Sequence, residues 1–187
     1  MGKNKAKDII KNNFEHYQEI GSAEKRLTDS VIFIEPRQNH VTRDQGEVAL
    51  ESYISETLKL EVEASNESSQ DFKFKVFDRS FMPTPCYRFD SDGEAHNNLG
   101  DIPLKERQIT TPHFHKFDRD GNLLAYKTAL LKEQEDAVLL DRKLAFAIFA
   151  EEENIVYDSV PDIRRDGELL APDNILTDPL QGEQFYE

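Results

Sequence analysis

Cysteine is nearly absent from this 187-residue chain: Cys86 stands alone. A single thiol excludes an internal disulfide and a zinc site built on cysteines. Long apolar runs are missing too, and none approaches the roughly 20 residues that a membrane-spanning helix needs. The first residues, Met1 to Lys11, are basic and carry no apolar core of the kind a secretory signal requires. These absences together lead us to expect a cytoplasmic protein with no membrane partner. There is no glycine-rich phosphate loop, no Gly-x-Ser-x-Gly elbow and no Cys–His nucleophile pattern.

Positive charge is also scarce. The formal net charge is −14. Residues 131–187 hold 5 Lys+Arg against 15 Asp+Glu, a net of −10, and residues 1–130 hold 18 against 22, a net of −4. A chain that grips nucleic acid through its phosphates presents a basic face, so a general nucleic-acid binder is disfavoured, while a local basic pocket is not. The acidic C-terminal third could contact a basic partner or serve solubility alone.

Periodicity predicts the elements. Ile10, Phe14 and Tyr17, flanked by Ile9 and Ile20, form an apolar stripe at helical spacing over residues 5–20, with Gly21-Ser22 as a stop. Val31 to Ile34 reads as a strand, while residues 36–56 are polar and hard to place, with room for a short helix through Val48–Leu50 and Tyr53-Ile54. Strict alternation at Leu58, Leu60 and Val62 and again at Phe72, Phe74 and Val76 predicts a hairpin around the turn at Asn66–Ser69. Cys86–Asp90, Thr110–Asp118 and Leu123–Leu130 add strands, the last two joined by an Asp-Gly turn, and residues 93–107 read as a polar loop. Leu139, Leu140, Leu144, Ala147 and Ile148 predict a second helix. The expected fold is therefore α+β: an N-terminal helix, a mainly antiparallel sheet of four to five strands, and a C-terminal helix, both helices on one face. Residues 1–157 would form one domain and 158–187 an acidic tail carrying Ile175, Leu176, Leu180, Phe185 and Tyr186 as docking groups.

One stretch carries chemistry: Thr111-Pro112-His113-Phe114-His115. Side chains two apart on a strand share a face, with Cα atoms about 6–7 Å apart, so His113 and His115 would present paired imidazoles. Imidazole titrates near neutral pH and binds transition metals. Two uses follow. As ligands, His113 and His115 need at least a third, for which His96 is the candidate, with Asp90 or Asp118 able to add a carboxylate; the cofactor would be a divalent transition metal. Without a metal or other cofactor, His113, His115 and His96 could divide the roles of general acid and base, with Arg88 or Lys127 stabilising phosphate charge, a set that suits RNA cleavage by 2′-hydroxyl attack. Arg88 could equally pair with Asp90 across one strand face. Asp90–Glu94 and Asp118–Gly121 look like fragments of calcium loops, but Ala95 and Leu123 fall where the EF-hand glycine belongs, so both read as turns. His16 and His40 lie outside the pattern.

Tyr87-Arg88-Phe89-Asp90, then Gly93 with His96-Asn97-Asn98, then Pro112-His113-Phe114-His115, then Ala125-Tyr126 resembles a family of small bacterial and phage domains of unknown function, over roughly residues 55–150. That family is distantly similar to TumE-like toxins of toxin–antitoxin pairs. The resemblance implies a toxin-like or defence-conflict context, an endoribonuclease activity resting on Arg88, His96, His113 and His115 with Asp90 and Asn98 nearby, and RNA or a cognate protein such as an antitoxin as partner. The alternatives from the residues themselves are an interaction protein that uses its acidic tail and a His-ligated metal-binding domain.

Overall fold

A computed structural model describes residues 2–99, 103 and 107–165. The fold is α+β, as expected, but its sheet is larger than the sequence suggested. Two helices, α1 (Gly2–Asn12) and α2 (Phe14–Ser22), lead into β1 (Lys25–Leu27), β2 (Val31–Arg37), β3 (His40–Ala49), β4 (Leu58–Ser65), β5 (Phe72–Asp78) and β6 (Tyr87–Asp90). The short strands β7 (His96–Asn97) and β8 (Gln108–Ile109) precede β9 (His113–Phe117) and β10 (Leu123–Tyr126). Three helices follow, α3 (Ala129–Glu133), α4 (Glu135–Leu140) and α5 (Arg142–Glu152), then β11 (Ile155–Tyr157) and β12 (Asp162–Arg165). The main sheet has eight strands in the order β10-β9-β6-β5-β4-β3-β2-β12, antiparallel except for the parallel β12–β2 pair. Pairs β1–β11 and β7–β8 form two small ribbons.

The differences have local causes. The predicted first helix breaks at Asn13, whose side-chain amide donates to the Ile9 carbonyl and competes with the helical ladder. The predicted second helix is likewise divided at Asp141, whose carboxylate accepts from the Lys143 and Leu144 amides and starts α5 afresh. The suggested helix near Val48 is instead the end of β3. The stretch expected to be a tail contributes β12 to the main sheet, and residues 166–187, with the tail's apolar docking groups, lie outside the described residues. No helix among the described residues is long and apolar enough to cross a membrane.

Alternation gives the sheet two unlike faces. Leu58, Leu60, Val62 and Ala64 of β4 and Phe72, Phe74 and Val76 of β5 are buried together. Helix α5 lies on this face, with Phe146 and Phe149 each 5.5 Å from the Phe74 ring. Each such aromatic or aliphatic side chain contributes about 1.5–3 kcal/mol of burial. The residues between them point the other way and are charged. Lys75 bridges Glu61 at 2.7 Å and Glu63 at 2.6 Å, and Glu63 also meets Arg37 and Arg43. Glu61, Glu63 and Lys75 are buried by these pairings. This charged row runs on across β6 and β9, where Arg88 lies opposite His115 and Asp90 opposite His113.

The N-terminal helices reach the β6–β9–β10 end of the sheet, and the C-terminus of α2 meets that of α5, where Lys25 Nζ donates to the Gly21 and Glu153 carbonyls. Tyr17 of α2 stacks on Tyr87 at 4.9 Å, donates its hydroxyl hydrogen to the Cys86 carbonyl and accepts from the Phe117 amide. Gly121, at φ 72° in the β9–β10 turn, lets α1 pass close: a Cβ there would lie 2.5 Å from the Lys7 carbonyl oxygen.

Candidate functional site

The antiparallel register of β6 and β9 brings the predicted residues together. His113 Nε2 and His115 Nε2 are 2.7 Å apart, His115 Nε2 is 3.1 Å from Asp90 Oδ2, and His113 Nε2 is 3.9 Å from the same oxygen. All three side chains are buried. Arg88 Nη2 lies 2.9 Å from Asp90 Oδ2 and 2.8 Å from His115 Nε2. The third histidine is placed differently. The His96 ring stands edge-on to His115 at 5.1 Å, and its Nε2 faces the Leu123 carbonyl at 3.2 Å. The carboxylate of Asp90, and not the imidazole of His96, thus completes the group whose ligand atoms lie within 4.8 Å of one another.

Asp118, the other candidate carboxylate, accepts from the Asn122 amide and side chain and so serves the turn. Lys127, the other candidate cation, is paired with Glu135 at 3.0 Å and donates to Thr110. Asn98 is buried against β10: its side chain donates to the Ala125 carbonyl and accepts from the Ala125 amide. His16, on α2, is partnered by Glu19 and by Phe81 of the β5–β6 connection, and exposed His40 opens β3.

Burial pushes His113 down to about 4, with the charge of His115 adding to the effect. Burial also lowers His115, against the upward pull of its hydrogen bond to Asp90. For Asp90, burial would raise the carboxyl, but the His115 hydrogen bond and the charges of Arg88 and Lys73 outweigh it and hold it at about 2. The site at neutral pH therefore holds two neutral imidazoles and one carboxylate, the protonation state in which these groups bind metals.

Their protons cannot be placed to satisfy every contact. His113 Nδ1 is 3.1 Å from the Thr110 carbonyl, which only accepts, so Nδ1 carries the hydrogen and Nε2 is a bare lone pair. If His115 Nε2 carries a hydrogen, it meets the N–H of Arg88. If it does not, its lone pair meets those of His113 and Asp90. Five buried side-chain polar atoms among the described residues lack a hydrogen-bond partner, and Arg88 Nε, Asp90 Oδ1 and His115 Nδ1 are three of them.

A cavity of about 520 Å³ opens beside the cluster. Arg88, His96 and His115 reach its wall, along with Leu99, Phe117 and Leu123. Ala6 and Lys7 of α1 also line it, a contribution the sequence reading missed. The available signal was the helical stripe of α1, which marks a packed face without saying what it packs on. Cys86 lines the cavity as well, and burial pushes its thiol up to about 12, so it is unreactive at neutral pH.

No family model matches the chain, and neither a curated protein nor a solved structure is significantly similar to it. The resemblance to the phage and toxin-like domains therefore rests on its short motifs alone.

Proposed function

We propose that the chain is a metal-dependent enzyme whose centre is a divalent transition metal held by Asp90 Oδ2, His113 Nε2 and His115 Nε2. The observation that carries this reading is the convergence of Asp90 Oδ2, His113 Nε2 and His115 Nε2, the two nitrogens 2.7 Å apart and each within 3.9 Å of the oxygen. Two histidines and a carboxylate are the ligand set of non-haem iron(II) oxygenases and of hydrolytic zinc sites, both of which keep coordination positions open for water or substrate. In both, the metal supplies Lewis acidity to whatever oxygen binds there. Thr110 orients His113 through Nδ1, and Arg88 orients Asp90, as outer partners commonly do for metal ligands.

The ribonucleolytic reading receives less support in its metal-free form. A general acid and a general base in phosphodiester cleavage act on opposite sides of the reacting phosphorus, whereas His113 and His115 point at one another. RNA remains a substrate to test on the metal-loaded protein.

The test is a titration of metal-free protein with Co(II), followed by its visible absorption, and with Zn(II) by calorimetry. One equivalent of either metal should bind, and the His113→Ala protein should bind neither. Stoichiometric uptake that survives both His113→Ala and His115→Ala would sink the assignment.

A further inference from the structure

The cavity next to the cluster is unlike the rest of the molecule. The chain carries 37 Asp and Glu against 23 Lys and Arg. Yet the described lining of the cavity contains Lys7, Arg88, His96 and His115 and no acidic residue. The remainder is largely apolar, with Leu99, Phe117 and Leu123 at its wall. One carboxylate, Asp90, lies behind Arg88 at 2.9 Å. Counting Lys7, Arg88 and Asp90, the cavity surroundings are net positive by one charge, and a divalent metal would add two more. Arg88 also keeps its Nε hydrogen without an acceptor, although that atom is buried. An unpaired buried donor is costly, and an acceptor brought to it removes that cost.

We propose that this cavity binds a small organic carboxylate with an apolar body, its carboxylate held between Arg88 and the metal face of His115 and its apolar part against Leu99, Phe117 and Leu123. The volume suits such a ligand, because sites for small molecules typically span about 300–1,000 Å³ and combine apolar walls with few polar anchors. Guanidinium is the side chain best shaped to take a carboxylate. Lys7 stands at the same wall, held by its hydrogen bond to Asn122 at 2.8 Å, and adds a second positive charge. The orientation of the ligand rests on the metal centre proposed above; the choice of an apolar anion rests on the cavity itself.

Calorimetry with 3-phenylpropionate and its uncharged counterpart 3-phenylpropionamide tests this, on the full-length protein with Zn(II) and again in EDTA. The acid should bind the Zn(II) protein at least about tenfold more tightly than the amide, the ratio that one charge-assisted hydrogen bond supplies. Lys7→Gln and Arg88→Gln should each reduce that ratio. Leu99→Glu, a change at an exposed position on the cavity wall, should weaken the acid about tenfold more than the amide, while Leu99→Gln should weaken acid and amide alike. Equal affinities for acid and amide, or indifference to Leu99→Glu, would overturn the proposal. Retained preference for the acid in a protein that takes up no metal would sink the metal centre and leave the cavity assignment standing. Metal uptake without any preference for the acid would overturn the cavity assignment alone.

Discussion

His113 and His115 present their Nε2 atoms to each other across 2.7 Å while the Nδ1 hydrogen of His113 is committed to the Thr110 carbonyl. That commitment fixes which nitrogen of His113 is available, and it makes Nε2 an acceptor or a ligand and nothing else.

The metal assignment separates Asp90 from His96. Asp90→Asn keeps the shape and removes the anionic oxygen, so Zn(II) affinity should fall by roughly 100-fold or more, beyond the 10–100-fold typical of an outer partner. His96→Gln should leave Zn(II) affinity within about tenfold of the parent, because its Nε2 faces Leu123 and not the cluster. Competition titration against a chromophoric chelator measures both. The opposite ranking would return His96 to the ligand set.

Tyr17→Phe tests the clamp between α2 and the sheet. The substitution keeps the stack on Tyr87 and removes the hydroxyl that serves both Cys86 and Phe117. Since the Phe117 amide then loses its partner, urea unfolding should show a loss of about 1–3 kcal/mol.

At the β9–β10 turn, Gly121→Ala adds a methyl where φ is 72° and the Lys7 backbone is within 2.5 Å. Strain and contact act together, and a loss of about 1–3 kcal/mol is expected in the same measurement. Because Lys7 lines the cavity, ligand affinity should fall along with stability.

The buried Glu153 governs a pH dependence away from the site. Burial raises its carboxyl to about 8, against the pull of Lys25, which burial in turn lowers to about 8. For Glu153 the folded value lies above the unfolded one. Its contribution is therefore fully present below the ordinary glutamate range and is lost as pH rises toward 8. Glu153→Gln has no such titration, so its stability relative to the parent should increase steadily between pH 5 and 8, read as the difference in urea midpoints. A pH-independent difference would contradict this account.

Much of the sheet was legible because β4 and β5 each bury one face against α5 and set charge on the other, which writes a period of two into Leu58–Ala64 and Phe72–Phe77. Strand β3 escaped notice because its one buried residue is Asp44, whose partner Arg165 arrives from β12 at the far end of the described chain. No local pattern announces a pairing over that distance. The histidine pair was legible for the same reason as β4, since two residues apart on a strand is a property of the sequence. The choice of Asp90 over His96 was not, because it depends on β6 and β9 pairing in a register that sets Asp90 opposite His113. The cavity was hidden further still, assembled from α1, the β9–β10 turn and Leu99.

Strand β10 is the last of its sheet, and an uncovered last strand invites another chain to add to it. Here the side chain of Asn98 occupies both the amide and the carbonyl of Ala125, and His96 takes the carbonyl of Leu123. Two side chains thus stand where a neighbouring strand's backbone would, so the segment that borders the cavity also caps this edge of the sheet. Asn98→Ala should therefore do more than loosen a loop: it should turn a discrete particle into one that self-associates with rising concentration, a change that light scattering would register.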